Sequence, residues 1–151
     1  MRAAIALGSN LGDREATLRS AAAALRGILT DLTLSSAHET AYVGAGGPQP
    51  AYLNAAAVGE TALGARALLE VLLETERQFG RERPYPDAPR TLDLDLILYG
   101  MEILDEPGLV VPHPRFRHRR FVLEPLAEIA ADWIDPVTGR TIDELLRTVD
   151  S

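Results

Sequence analysis

The spacing of apolar and polar residues predicts alternating strands and helices along the chain. A short apolar run at 3–7, stopped by a glycine-containing turn at 8–12, predicts a buried strand. Alternation also predicts strands at 32–40 and 52–58. Asp13 is placed to cap a helix of roughly four turns, in which apolar residues recur at helical spacing: Leu18, Ala22, Leu25 and Leu29.

The second half of the chain continues this pattern. An apolar stripe predicts a helix that ends at Gly80, and 91–99 is the clearest strand. Loops rich in glycine or proline occupy 42–51 and 83–89. A hairpin-like segment, a Pro-His-Pro turn at 112–114 and helices near 123–130 and 142–149 follow.

The order strand, helix, strand, strand, helix, strand is the split βαβ pattern of ferredoxin-like folds. We therefore expect an α+β fold with a βαββαβ core, whose helices are segregated to one face of an antiparallel sheet.

Composition and charge narrow the class of protein. The length of 151 residues, with 46% hydrophobic residues, predicts a single globular domain at 1–151. The chain has no cysteine, which excludes disulfides and thiolate metal sites. All 15 basic residues are arginine, which excludes a P-loop and Schiff-base chemistry. The net charge of −7 and the lack of a long apolar stretch predict a cytoplasmic protein that binds neither nucleic acid nor membrane.

The strand predicted at 91–99 carries two aspartates on one face. Because strand side chains alternate, the leucines at 92, 94, 96 and 98 face the core, while Asp93 and Asp95 face the other side together. Carboxylates this close repel each other, and aspartate is disfavoured in strands. Magnesium is the natural compensating charge, since one or two carboxylates plus phosphates commonly hold it. The alternative is an exposed strand face with two solvated aspartates.

Arginines cluster on both sides of this aspartate pair in the sequence. Guanidinium groups bind phosphate in a planar, bidentate way, so clustered arginines beside metal carboxylates favour phosphoryl transfer from a magnesium nucleotide. For any single arginine, an ordinary surface ion pair is the simpler interpretation. The two windows contain Arg77, Arg81, Arg83 and Arg90, and Arg115, Arg117, Arg119 and Arg120.

A pocket for an organic substrate is also indicated. Tyr52 and Asn54 share a strand face, and Phe121 follows the second arginine window. An asparagine amide can read the edge of a heterocycle, and aromatic rings can sandwich a flat ligand. Taken alone, Tyr52 and Phe121 also fit core positions. His113 could donate to a phosphate or be structural.

Together these motifs resemble the 6-hydroxymethyl-7,8-dihydropterin pyrophosphokinase family of folate biosynthesis. The resemblance covers about residues 3–130, and the matching segments are Gly8-Ser9-Asn10-Leu11-Gly12-Asp13, Tyr52-Leu53-Asn54-Ala55, Gly80-Arg81-x-Arg83, Pro89-Arg90-Thr91-Leu92-Asp93-Leu94-Asp95, Tyr99-Gly100 and Val111-Pro112-His113. The resemblance implies a ferredoxin-like core extended to a larger antiparallel sheet, with helices packed on its faces. It also implies that the β,γ-diphosphate of ATP is transferred to the hydroxymethyl oxygen of the pterin, which leaves AMP.

The resemblance assigns roles to individual residues. It implies two Mg2+ ions on Asp93 and Asp95. The catalytic residues would be Arg81, Arg90 and Asp95. ATP would be bound by Arg81, Arg83, Arg90, His113, Arg119 and Glu76. The pterin would be bound by Thr40, Val43, Tyr52, Asn54, Phe121 and Asn10, with Phe121 stacked on the ring. We expect a monomer whose partners are these small-molecule substrates.

Three other functions remain as alternatives. The first is a ferredoxin-like binding module for a nucleotide or RNA, although RNA binding is disfavoured by an aromatic content of 5% and the acidic charge. The second is a ligand-sensing regulatory domain, which explains the fold but not Asp93, Asp95 and the two arginine windows. The third is a magnesium-dependent nuclease or phosphatase, in which Asp-x-Asp is common. Pterin-dependent conversion of ATP to AMP separates the pyrophosphokinase from all three.

Overall fold

The computed structural model describes residues 1–10, 12–40, 51–80 and 92–149. The strands in these ranges are β1 (Arg2–Ser9), β2 (Thr30–Leu34), β3 (His38–Thr40), β4 (Tyr52–Glu60), β5 (Asp93–Tyr99), β6 (Leu104–Glu106) and β7 (Leu109–Val111). The helices are α1 (Arg14–Arg26), α2 (Ala65–Phe79), α3 (Arg120–Ala130) and α4 (Ile142–Thr148), with a short 3-10 turn at Phe116–His118. None of the helices in these ranges has both the length and the apolar character that crossing a membrane requires.

The main sheet is antiparallel, with the strand order β2-β4-β1-β5 and β3 paired to β4. This is the predicted βαββαβ arrangement, with β1 in the centre between β4 and β5. The strand predicted at 32–40 is divided into β2 and β3. Ser35 lies at the break, where its hydroxyl accepts a hydrogen bond from the Ala56 backbone N–H at 2.8 Å. The side chain therefore replaces a backbone partner where the strand bends away.

Apolar side chains cover both faces of the sheet. One face packs against α1 and α2, through residues such as Ile5, Leu25 and Leu68. The other face packs against α3 and α4, through residues such as Leu123 and Ile142. The helices of the βαββαβ core share one face, as the order of elements predicts. The C-terminal helices cover the other face, which confirms the helices packed on both faces that the resemblance implies.

The alternation along β5 is interrupted near its end. Ala4 pairs with Leu98, but the next residue of β1, Ile5, pairs with Leu96. Ile97 is thus an extra residue in the ladder, and it faces the same core as Leu98. The prediction that Leu98 shares a face with the other leucines is wrong because this bulge reverses the alternation.

The start of α1 follows the sequence pattern. The carboxylate of Asp13 accepts a hydrogen bond from the Ala16 backbone N–H at 3.0 Å, so the predicted N-cap is confirmed. The turn predicted at 8–12 begins later than expected, because Gly8 and Ser9 still pair with Asn54 and Leu53 of β4. β1 therefore extends far enough to bring Gly8 beside β5.

Candidate functional site

Asp93 and Asp95 lie at the beginning of β5, on the edge next to β1. They pair with Gly8 and Ala6 respectively, while Leu94 between them is buried in the core on the opposite face. Both aspartates are partly exposed. The predicted separation of carboxylates from leucines is therefore confirmed at this end of the strand.

Two cavities meet at this aspartate pair. The first, which we call the β4 cavity, has a volume of about 410 Å³ and includes Gly8, Asn54 and Phe121 in its lining. The second, the hairpin cavity, has a volume of about 430 Å³ and lies between α2, β5 and the β6–β7 hairpin. Asp93 and Asp95 line both cavities, so they form the boundary between two spaces that can each hold a small molecule.

The β4 cavity brings together side chains from separate parts of the chain. Thr40, Tyr52, Asn54 and Phe121 all line it, as predicted for an organic-substrate pocket. The Asn54 amide is only 6% exposed, and its Nδ2 donates to the Thr40 hydroxyl at 2.7 Å. This bond fixes the orientation of the amide, and with it the pattern of donor and acceptor presented to a ligand.

Arg119 and Phe121 close one side of the β4 cavity. Arg119 is the residue just before α3, and its Cζ lies 5.5 Å from the centroid of the Phe121 ring. At this distance the guanidinium is attracted to the ring face. The Phe121 residue is 40% exposed despite its size. The cavity therefore combines a flat apolar surface with a cation.

The hairpin cavity contains two residues that the sequence associated with ATP. Glu76 of α2 and His113 both line it. The carboxylate of Glu76 also accepts a hydrogen bond from the Leu94 backbone N–H at 2.7 Å. Since Leu94 lies between the two aspartates, this bond fastens β5 to α2 at the point where the carboxylates project.

A backbone hydrogen bond determines which ring nitrogen of His113 carries the proton. The Arg115 backbone N–H donates to Nδ1 at 3.2 Å, which places the proton of the neutral ring on Nε2. Burial lowers the pKa of His113, Asp95 raises it, and Arg119 and Arg115 lower it further, with a net decrease below the usual value. Burial therefore favours the neutral ring, whose one N–H donor lies on Nε2.

The arginines of the second window, at positions 115–120, do not all face the cavities. Within the described residues of this window, Arg119 is the arginine that lines the cavities at the aspartates. Arg117 instead binds the buried Asp135 with two hydrogen bonds of 2.9 and 3.1 Å, and Arg120 pairs with Glu124 at 3.1 Å. The interpretation of the whole window as a phosphate site is wrong for Arg117 and Arg120, because buried or local carboxylates neutralise them.

Several predicted residues are not placed in either cavity. Val43, Arg81, Arg83 and Arg90 lie outside the described residues, so their roles stay predictions. Asn10 is described and is 2% exposed, at the end of β1 beyond Gly8, and it is not part of either lining. Its assignment to the pterin also stays a prediction.

Gly8 is a site residue that the sequence reasoning missed. A Cβ at this position would lie 3.3 Å from the Asn54 Oδ1 and 3.7 Å from the Tyr52 Cδ1. The absence of a side chain therefore leaves room for the polar wall of the β4 cavity. The sequence predicts a turn at Gly8, and only its pairing with Asn54 across the sheet reveals this role.

The donor set at the cavity boundary fits a hard cation. Asp93 and Asp95 supply carboxylate oxygens from alternate residues of one strand. In the described part of the chain, no three histidine, aspartate or glutamate side chains come together as a complete metal cage. Magnesium fits such a site, because it commonly takes one or two carboxylates and completes its shell with water and substrate phosphates.

Comparison with known proteins supports the resemblance read from the motifs. Residues 4–131 match the family model of 7,8-dihydro-6-hydroxymethylpterin-pyrophosphokinase. A 2-amino-4-hydroxy-6-hydroxymethyldihydropteridine pyrophosphokinase of Synechocystis is 43% identical over an alignment of 151 positions, which covers 98% of this chain and 76% of the relative. The enzyme of that name from Bacillus subtilis is 42% identical over an alignment of 142 positions, which covers 93% of this chain and 84% of the relative.

Solved structures share the fold. A chain of Plasmodium falciparum HPPK-DHPS superposes on 97% of this chain with a TM-score of 0.75 and 13% identity. This chain spans 44% of the length of that protein, so the likeness concerns a part of it. The ferredoxin-like α+β architecture predicted from the order of elements is confirmed. The family match and the two curated relatives together establish that the chain belongs to the 7,8-dihydro-6-hydroxymethylpterin-pyrophosphokinase family.

Proposed function

We propose that this chain transfers the diphosphate group of ATP to the hydroxymethyl oxygen of 6-hydroxymethyl-7,8-dihydropterin, which gives AMP and the pterin diphosphate for folate biosynthesis. The observation that carries the proposal is the position of Asp93 and Asp95 at the boundary of two cavities. Transfer of a group between two substrates requires two adjacent binding sites that bring the reacting atoms of both substrates into contact. The family to which the chain belongs names the same reaction class.

The β4 cavity is the proposed pterin site. Its volume of about 410 Å³ accommodates a small bicyclic ligand. The Asn54 amide, held by Thr40, supplies directional hydrogen bonds to the edge of the heterocycle. The exposed face of Phe121 supplies a stacking surface, and Tyr52 lines the same space.

The hairpin cavity is the proposed nucleotide site. Glu76 and His113 line this cavity together with the aspartates, and the apolar side chains of Leu73 and Val110 belong to the same lining. Leu73 and Val110 are 40% and 42% exposed, so they offer apolar contacts to a base. The neutral His113 donates from Nε2, and Arg119 contributes positive charge from the other cavity.

The proposed metal site lies between the two substrates. Asp93 and Asp95 would hold Mg2+, and two ions are proposed by resemblance to the family. When bound, magnesium neutralises the negative charge of the phosphates and lowers the pKa of a coordinated hydroxyl. The two carboxylates of this chain fix its location at the boundary, because both belong to one strand that is anchored through Glu76.

The reaction itself is a displacement at phosphorus. The hydroxymethyl oxygen forms a bond to the β-phosphorus of ATP, and the bond from that phosphorus to the oxygen shared with the α-phosphate breaks. AMP leaves with that oxygen, and the hydroxyl proton passes to a base. Asp95 is the proposed acceptor or orienting group, since it borders both cavities. The additional roles of Arg81, Arg83 and Arg90 with the phosphates are proposed from the sequence motif alone.

We propose that the protein works as a monomer in the cytoplasm, with small molecules as its partners. The acidic net charge of −7 disfavours nucleic acid and anionic membranes as partners.

A nucleotide product assay tests the proposal. The purified protein is incubated with ATP, Mg2+ and 6-hydroxymethyl-7,8-dihydropterin, and the nucleotides are resolved by chromatography. We expect AMP that forms only with the pterin and disappears when EDTA is added. ADP would instead indicate transfer of a single phosphoryl group. AMP without pterin would indicate a hydrolase, and a folded protein with no product would indicate a binding module.

A further inference from the structure

Arg14, the first residue of α1, reaches across to two neighbouring strands. Its Nη1 donates a hydrogen bond of 2.6 Å to the backbone carbonyl of Ala51. Its Nη2 lies 3.6 Å from a carboxylate oxygen of Glu39. The Arg14 side chain is 27% exposed, so most of it is covered by the elements that it joins. The sequence gives no local indication of these contacts, because Glu39 and Ala51 lie 25 and 37 residues away.

The two partners of Arg14 lie immediately next to residues of the β4 cavity. Glu39 precedes Thr40 at the end of β3, and Ala51 precedes Tyr52 at the beginning of β4. Thr40 and Tyr52 are paired across the two strands, and both line the cavity. One guanidinium group therefore contacts both strands at the point where they supply their cavity residues.

β3 depends on such contacts because it is short and lies at the edge of the sheet. It consists of three residues, paired with β4 alone among the described strands. On the face opposite to Glu39, the His38 ring contacts the carboxylate of Glu128 and lies 3.8 Å from that of Glu124. β3 is thus connected to α3 on one side and to α1 on the other.

The two contacts of Arg14 differ in strength. The bond to Ala51 is short, involves a charged donor and holds the carbonyl of the peptide unit that includes the Tyr52 nitrogen. The pair with Glu39 is long, and the Glu39 side chain is 61% exposed, so solvent screens most of the attraction. The hydrogen bond from Arg14 to Ala51, at the beginning of β4, is therefore the contact that positions the backbone.

We propose that Arg14 is a positioning residue for the pterin: it fixes the relative placement of Thr40 and Tyr52 in the β4 cavity. This inference rests on the proposed function, since it assumes that the β4 cavity receives the pterin. It predicts that the effect of losing Arg14 falls on pterin binding and leaves the nucleotide side unchanged, because neither contact of Arg14 involves the hairpin cavity.

The experiment compares Arg14→Ala with Arg14→Lys, Glu39→Gln and the control Arg19→Ala. Arg19 lies on the same helix, and its side chain is 70% exposed and pairs only loosely with Glu15 at 3.9 Å. For Arg14→Ala we expect the KM for pterin to rise roughly five- to tenfold, as for the loss of one charge-assisted hydrogen bond. The KM for ATP should stay close to wild type, and the Tm should fall by only a few degrees, because the lost hydrogen bond also belongs to the free protein. Arg14→Lys should recover most of the effect, and Glu39→Gln and Arg19→Ala should change little.

A second measurement needs no substrate. Amide hydrogen exchange of the free proteins should be faster at 38–40 and 52–54 in Arg14→Ala than in wild type, and unchanged in Arg19→Ala. Unchanged exchange together with an unchanged KM for pterin would overturn the role of Arg14. If Arg14→Ala raised the KM for pterin and the KM for ATP equally and also strongly lowered the Tm, Arg14 would have a general structural role and the positioning role would be overturned. If the wild-type protein makes no pterin-dependent AMP, the proposed function fails, and the exchange data still decide whether Arg14 orders the two strands.

Discussion

The side-chain amide of Asn54 donates a hydrogen bond to the hydroxyl of Thr40, with 2.7 Å between Nδ2 and Oγ1. The two residues belong to adjacent strands, and both line the β4 cavity. Since one N–H of the amide is committed to Thr40, rotation of the amide would break this bond. The amide therefore presents one fixed arrangement of donor and acceptor to a ligand, which is the requirement for reading the edge of a heterocycle.

We predict that Thr40→Val weakens pterin binding. Valine has nearly the same shape as threonine but cannot accept the Asn54 hydrogen bond, so the amide loses its fixed orientation. The KM for pterin should rise roughly tenfold, the cost of about one hydrogen bond, while the KM for ATP stays the same. Steady-state kinetics with each substrate varied in turn measures this. Thr40→Ser keeps the hydroxyl and should retain most of the affinity; equal losses in both variants would contradict the role of the bond.

Gly8 provides a second prediction about the same cavity. In Gly8→Ala the new Cβ would lie 3.3 Å from the Asn54 Oδ1, closer than the usual contact distance. The asparagine has to move by a few tenths of an ångström, which disturbs its bond to Thr40. We expect a several-fold increase in the KM for pterin with little change in Tm, measured by kinetics and by thermal unfolding.

Gly64→Ala is the matched control for this substitution. Gly64 precedes α2, and a Cβ there would meet no atom within 4 Å. The KM for pterin should therefore stay at the wild-type value. A comparable rise in both glycine variants would mean that the crowding of Asn54 is not the cause.

Removal of either boundary carboxylate should abolish turnover without unfolding the protein. In Asp95→Asn and Asp93→Asn the side-chain volume is kept, but the charge that would hold Mg2+ is lost. We expect kcat to fall by roughly a thousandfold or more, equivalent to about 4 kcal/mol. Asp105→Asn, at an exposed position of β6, is the control and should be fully active. Near-normal activity of Asp95→Asn would remove Asp95 from the site; far-UV circular dichroism checks that the variants are folded.

The part of the site that lies on one strand could be predicted from the sequence. Alternation along β5 separates Asp93 and Asp95 from the buried Leu94, because neighbouring side chains of a strand point to opposite faces. The same rule fails at Leu98, since the bulge at Ile97 depends on how β5 pairs with β1. A pattern within one segment cannot contain information about the register with another.

Partners that are distant in sequence explain the remaining differences. Nothing local distinguishes Arg117 from Arg119, yet Arg117 binds a buried aspartate 18 residues away while Arg119 faces the β4 cavity. The apolar stripes of α3 and α4 indicated helices but not the sheet face that they cover. These features depend on tertiary packing, and they become visible only when the sheet is assembled.

The ion pair between Arg117 and Asp135 should make the free energy of unfolding depend on pH in the acidic range. Asp135 is fully buried and accepts hydrogen bonds from Arg117, Thr138 and the Val137 backbone N–H. Burial raises its pKa, but the bonds from Arg117, Thr138 and Val137 outweigh this effect and hold the pKa below the usual value. A carboxylate with a lowered native pKa stabilises the fold above its unfolded pKa of about 4, and this contribution is lost as the pH falls through the native pKa.

We therefore predict that Asp135→Asn lowers the free energy of unfolding at pH 7 by about 3 kcal/mol, because Arg117, 17% exposed, is left without its counter-charge. The difference from wild type should begin to narrow below about pH 4, where the unfolded chain takes up a proton at Asp135 that the native state still excludes, and it should disappear below the native pKa. Urea unfolding at pH 7, 5 and 3 measures this, with Asp132→Asn at an exposed position as the control. A difference that stays constant over this range would mean that the charge of Asp135 does not stabilise the fold and that the substitution acts through packing alone.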